Sequence, residues 1–190
     1  MVIQSPQDGG TDTGRAVLTA AINEANMGAG ERLFNNSGVW VEKYLKSHKP
    51  LSWCAGFVSW CIENCGLPTQ LTYSLSALDI RNQMRKLGYL YYDYPSQKSL
   101  DIKPEPGDII VFERGTSADT FGHIGIVWGV ENETLFTIEG NKTRAGKQLA
   151  NVEMFDYPFP HIPDLLAMGR LPDQKGVSSS QLPPHKRGGL

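Results

Sequence analysis

Three cysteines are all that the 190-residue chain contains, at positions 54, 61 and 65. They cannot all pair with one another, and their spacing fits no disulfide framework. Cys61 and Cys65 stand four apart in one helical pattern with no CxxC or HxxxH companion, so no zinc site is expected. Neither charge dominates: 18 Lys and Arg face 20 Asp and Glu, a formal net charge of −2. That balance offers no electrostatic basis for a nucleic-acid partner. No run of about 18 apolar residues occurs, so no membrane-spanning helix is expected. The opening "MVIQSPQDGGTDTG" lacks both a basic and an apolar segment, so no signal peptide is read in it. The expectation is synthesis in a reducing cytoplasm, with some other route to any place of action outside it. "DGGTDTG" has the carboxylates of a calcium loop but neither the alternating ligand spacing nor the closing Glu. No metal and no cofactor are expected.

What is present suits one soluble domain with a full core: 40% hydrophobic and 20% charged residues. Ala16, Val17, Ala20, Ala21 and Ala25 recur at helical spacing from Arg15 to about Ala29, and "NMGAG" ends that helix. A second helix fits residues 37 to 48, with Ser37 as N-cap and Val39, Trp40 and Tyr44 as its apolar face; Pro50 stops it. A third begins at Ser52 or Trp53 and ends at "CGLP". "SLSALDIRNQMRKLG" reads as a fourth, closed by Gly88. Beyond it come strands: "YLYYDY", "DIIVFE" after a turn, "GHIGIVWGVE", "ETLFTIEGN", "KQLANVEMFDY" and "LLAMGRL". Helices precede strands, so the expected class is α+β, with N-terminal helices packed on a C-terminal antiparallel sheet. The domain is expected over residues 15–172, preceded by a loose arm over 1–14. Residues 173–190 have no core pattern and are expected to be disordered.

Chemistry concentrates at three places. Cys54 stands where the third helix begins, near unpaired backbone N–H groups and the positive end of the dipole, which favour thiolate over thiol. The competing reading is a buried filler, as most free cysteines are. In "GHIGIVWGV", alternation puts Ile124, Ile126, Trp128 and Val130 on one face, and His123, Gly125, Val127 and Gly129 on the other. The two glycines suggest a gap against which the Cys54 helix could lie, with His123 facing the thiol. Pairing with "TLFTIEGN" through a turn centred on Glu131–Glu133 brings Glu139 or Asn141 opposite the Gly125–His123 end. A carboxylate there would hold the second ring N–H of His123. Nucleophile, base and orienting group are what covalent acyl transfer requires. Cys61 and Cys65, seven and eleven residues after Cys54, are expected on one helical stripe with Val58, facing the sheet. His48, His161 and His185 are read as surface or loop residues.

"WCAGFVSW", "PGDIIVF", "GHIGIV" and "IEGN", in that order, resemble the CHAP domain, the cysteine, histidine-dependent amidohydrolase/peptidase of the papain-like NlpC/P60 group. The likeness covers roughly residues 15 to 172. Trp53, Cys54, Ala55 and Gly56 favour the CHAP branch over the Asp-Cys-Ser-Gly of NlpC/P60 peptidases. The resemblance implies Cys54 as nucleophile, His123 as general base, Glu139 as its orienting group and Asn141 as a fourth polar member. Trp53, beside the nucleophile, is a candidate substrate contact. The resemblance further implies a peptidoglycan amide as substrate, without saying which bond. Many phage members carry a calcium loop before the nucleophile, and "YLKSHKPLSWC" shows none. A phage lysin released by a holin and an injected antibacterial effector both fit the expected route; an effector would need an immunity protein as partner. Two alternatives stay open: an idle module that binds wall fragments or a protein, and an amidase of a small intracellular amide such as glutathionylspermidine. An idle module would be expected to lack one of Cys54, His123, Glu139 or Asn141, and all four are present.

Overall fold

A computed structural model describes residues 2–33, 35–114 and 122–173 of the chain. Four helices come first: α1 (Asp12–Asn26), α2 (Val39–Leu45), α3 (Cys54–Glu63) and α4 (Ala77–Lys86). Six strands follow: β1 (Leu90–Asp93), β2 (Ile109–Phe112), β3 (His123–Glu131), β4 (Thr134–Lys142), β5 (Asn151–Pro158) and β6 (Leu165–Gly169). The strands form one sheet in the order β1-β6-β2-β3-β4-β5, with every neighbouring pair antiparallel. The α+β class and the helices-then-sheet order are as the sequence predicts. None of the described helices is long and apolar enough to cross a membrane.

Local chemistry explains where the helices begin and end. Thr11 caps α1, its Oγ1 accepting from the Gly14 N–H at 2.9 Å, so the helix starts at Asp12, three residues before the expected Arg15. Gly28, at φ 68°, closes the same helix in the left-handed region where a Cβ would be strained. The second helix is shorter than residues 37–48 suggest, and its cap is Gly38 rather than Ser37. Its face is also corrected: Val41, Tyr44 and Leu45 are buried, while Val39 is 69% exposed. Ser76 caps α4 by accepting from the Asp79 N–H at 3.3 Å. The arm ahead of α1 is tied down instead of loose. Ile3 exchanges two backbone hydrogen bonds with the Asn26 side chain, and the Gln4 carbonyl accepts from Trp128 Nε1. The tail expected to be disordered, apart from Asp173, lies outside the described residues.

The sheet is buried on both faces. On the helix side, Val17, Leu18, Phe57 and Val58 pack against Ile109, Val111, Ile124, Ile126 and Ile138. On the far side, Ile110, Phe112, Val127, Leu135 and Met168 form a second core with Tyr92 and Ile162. A four-residue run buried throughout, such as the "IIVF" of β2, reads as such a two-faced strand.

One irregularity places the site. A two-residue turn pairs Glu131 with Thr134, Asn132 and Glu133 both standing at positive φ. A β-bulge at Trp128 then shifts the register, so that Gly125 pairs with Glu139. The bulge also breaks the expected alternation: Val130 joins Val127 on the far side, not Ile124 and Ile126. Gly125 makes room for a side chain, since a Cβ on it would lie 2.7 Å from Glu139 Cγ. The start of α3 does not rest in a gap made by Gly125 and Gly129. It rests on Gly140 of β4, where an added Cβ would meet Trp53 Cζ3 at 2.4 Å and Phe57 Cγ at 3.2 Å.

Trp53 has no exposed surface. Gly140→Ala is therefore expected to destabilise the fold by roughly 1–3 kcal/mol, the usual cost of overpacking. Gly129→Ala, whose Cβ meets nothing within 4 Å, should stay within about 0.5 kcal/mol of the parent. Urea midpoints of the two variants, compared at equal slope, check this.

Candidate active site

The nucleophile is placed by the start of α3. Trp53 occupies the N-cap without a side-chain capping bond, so its own side chain claims none of the first-turn N–H groups. Cys54 is buried there at 5% exposure. Burial alone would push its thiol up. The interaction with the His123 ring, a contact with the Ala55 N–H and the charge of Arg114 outweigh it, so the thiol lies below the ordinary cysteine range. The other two thiols go the opposite way. Cys61 is pushed well up by burial and by the nearby Glu24 charge. Cys65 is also raised by burial; it lies past the end of α3, not on the expected stripe, with Sγ 3.4 Å from the Leu67 carbonyl.

His123 opens β3, and its two ring nitrogens have separate roles. Nε2 lies 2.7 Å from Glu139 Oε2. Nδ1 is buried and has no hydrogen-bond partner among the described residues, which leaves it for proton exchange with Cys54. Resting catalytic contacts are commonly longer than in the reacting complex. Burial would lower the His123 pKa, but Cys54 and Glu139 together raise it above the ordinary histidine value. The lowered thiol and the raised imidazole both move toward a thiolate–imidazolium pair.

Glu139 has no exposed surface, and donors surround it. Oε1 accepts from Thr137 Oγ1 and from the Tyr157 hydroxyl, both at 2.6 Å, and Lys142 Nζ lies 3.4 Å from Oε2. Burial would raise its pKa; His123, Lys142 and Thr137 prevail and hold the carboxyl below its ordinary range. The Tyr157 hydroxyl is pushed far up by burial and by the Glu139 charge, so it remains a donor. Phe112 stacks on Tyr157 at 4.9 Å between centroids and lies 5.9 Å from the His123 ring.

Of the four expected polar members, the structure brings together Cys54, His123 and Glu139. Asn141 sits in an irregular stretch of β4 at φ 57°, and its side chain has no hydrogen-bond partner among the described residues. The register shift between Glu139 and Lys142 takes it out of the regular alternation that Glu139 follows. Trp53 is not a substrate contact, because it is wholly buried. Its Nε1–H donates to Glu31 Oε1 at 3.0 Å, and its ring stacks on Tyr44 at 5.6 Å. Glu31 also accepts from the Asn36 and Ala150 N–H groups, so it fastens the residue before the nucleophile to the edge of the sheet. Glu31, Thr137, Tyr157, Lys142 and Arg114 escaped the sequence reading. Only Thr137, two residues before Glu139 on one strand face, left a local trace there. Among the described residues, no group of three or more His, Cys, Asp or Glu side chains could hold a metal ion. A pocket of about 360 Å³, lined in part by His123, Arg114, Lys142 and Tyr157, opens beside the pair.

The chain matches a family model described as CHAP domain over residues 44–141, more than half its length. It matches no curated protein and no solved structure.

The opposed thiol shifts predict selective chemistry. Iodoacetamide below neutral pH should alkylate Cys54 ahead of Cys61 and Cys65, read by peptide mass spectrometry. The rate at Cys54 should rise with pH through a midpoint below the ordinary thiol range. Without the imidazole, burial dominates, so His123→Ala should move that midpoint up. An unmoved midpoint would show that His123 does not act on the thiol.

Proposed function

The chain belongs to the CHAP family, and from that premise we propose that it cleaves amide bonds of peptidoglycan through the Cys54 thiolate. The family is one of cysteine- and histidine-dependent amidohydrolases and peptidases, which makes a peptide-containing substrate the coarse reading. The wall polymer is the finer one, supported by the substrates that CHAP domains mostly take. The catalytic part rests above all on one observation. A single thiol of three is lowered, at a helix N-terminus, beside a histidine whose far nitrogen is held by a buried carboxylate. A wall substrate would put the site of action outside the cytoplasm, in the periplasm or cell wall.

The reaction follows as two acyl transfers. The Cys54 sulfur attacks the carbonyl carbon, and the positive end of α3 offsets charge as it passes from sulfur to oxygen. His123 Nδ1 gives its proton to the amide nitrogen, the C–N bond breaks, and the amine leaves behind a thioester. Water then attacks the thioester carbon while Nδ1 takes one of its protons. The carboxylic acid departs, and thiolate and imidazolium are restored. Throughout, Glu139 holds Nε2–H, which keeps Nδ1 aimed at sulfur and stabilises the charged ring.

Digestion of purified peptidoglycan tests this, with new amino termini and sugar ends identified by mass spectrometry. Cys54→Ala should release neither and still fold. His123→Ala should approach that loss, and Glu139→Gln should be milder. The double variant His123→Ala/Glu139→Gln should be little worse than His123→Ala alone, as expected of residues acting as a unit. Glu139→Gln removes a charge that raises the His123 pKa, so the alkaline limb of its kcat/KM profile should move to lower pH. Full hydrolysis by Cys54→Ala would end the nucleophile assignment; additive losses in the double variant would end the orienting role of Glu139.

A further inference from the structure

The pocket beside His123 is lined by charges of both signs. Arg114, two residues past β2, lies on its lining and acts through its charge on both Cys54 and Tyr157. It makes no ion pair and no hydrogen bond among the described residues. Lys142, on the same lining, is already engaged: it lies 3.4 Å from Glu139 Oε2, donates to the Tyr157 hydroxyl and stands over the Phe155 and Tyr157 rings. Its charge answers a buried carboxylate and leaves Arg114 as the cation on this lining without a partner among the described residues.

The negative side of the lining is also unclaimed. Glu113 and Asp164 both lie on the pocket's lining, at the border with a neighbouring cavity, and a 2.7 Å hydrogen bond from the Glu113 N–H to the Asp164 carbonyl joins their two segments. Neither carboxylate has an ion-pair partner among the described residues. A purely anionic group would meet Arg114 favourably but would also face these two carboxylates. A purely cationic group would meet the converse. At about 360 Å³, the space is at the small end for ligand pockets, suited to one amino-acid residue and not to a glycan strand.

Granted amide cleavage at Cys54, we propose that this pocket selects a diamino acid of the peptide stem, one bearing a free carboxylate and a free ammonium. Arg114 takes the carboxylate, in the paired N–H geometry that guanidinium offers. Glu113 and Asp164 take the ammonium. The proposal makes the stem residue beside the scissile amide the specificity determinant.

Binding to the inactive full-length Cys54→Ala protein tests the pocket apart from catalysis. The probe is synthetic N-acetyl-L-Ala-D-isoglutaminyl-L-Lys, which has one free carboxylate and one ammonium, alongside its C-terminal amide and its Nε-acetyl form. Calorimetry should show the parent peptide binding at least about tenfold more tightly than either modified form, as expected for charge-assisted hydrogen bonds. Adding Arg114→Gln should remove the penalty for amidation and keep that for Nε-acetylation. Adding Glu113→Gln and Asp164→Asn should do the reverse. Equal affinity for the three peptides, or no binding of any, overturns the proposal. Sensitivity to amidation alone also overturns it, because the pocket would then be a simple anion site. Hydrolysis of the parent peptide by the wild-type protein reports separately on amide cleavage. The expected binding pattern without any hydrolysis would sink the catalytic reading and leave the pocket standing.

Discussion

A carboxylate with no exposed surface is stable only if donors replace the water it has lost, and Glu139 is the group on which this site turns. His123 Nε2, Thr137 Oγ1, the Tyr157 hydroxyl and Lys142 surround it. Removing one partner of such a buried pair commonly costs roughly 3–5 kcal/mol, because the other charge is left without compensation. The histidine is thereby held in one orientation, with the buried Nδ1 left for Cys54. The raised imidazole and the lowered Cys54 thiol both follow from that arrangement. Stability and chemistry share the same hydrogen bonds here, so the site cannot relax without the far-side core relaxing too.

The register that brings Glu139 to His123 comes from two local features acting together. The two-residue turn at Asn132–Glu133 alone would set Gly125 opposite Gly140 and Glu139 opposite Ile126, leaving His123 and Glu139 on opposite faces. The bulge at Trp128 moves the pairing by one residue and puts Glu139 opposite Gly125. Because side chains alternate faces along a strand, a one-residue shift decides which face a residue occupies. Gly125 then supplies the space for the Glu139 side chain.

The nucleophile is tied to the same strand. Trp53 lies on Gly140, the residue after Glu139, while its indole N–H is held by Glu31. The thiol and the orienting carboxylate are thus fixed from adjacent residues of β4, one to each face. Catalytic groups need placement to within fractions of an ångström, and a shared strand provides it without a ligand. Arg114, just past the end of β2, adds charge from a third direction.

The sequence determined the order of helices and strands, the α+β class, the single thiol at a helix start and a hairpin that brings Glu139 or Asn141 to the His123 end. These depend on periodicity, capping and short-range spacing, which the chain carries locally. "GHIGIV" and "IEGN" sit close enough in sequence for one hairpin to join them. Tertiary structure alone decided the rest. Trp53 looked like a substrate contact because its burial depends on Tyr44, Glu31 and Gly140, all distant in the chain. Asn141 looked like a site residue because strict alternation hides the irregularity that separates it from Glu139. Tyr157, Lys142 and Arg114 were invisible as partners because their roles arise from sheet pairing and from charge acting through space. Local pattern states what a residue can do; only packing brings the groups it acts with within reach.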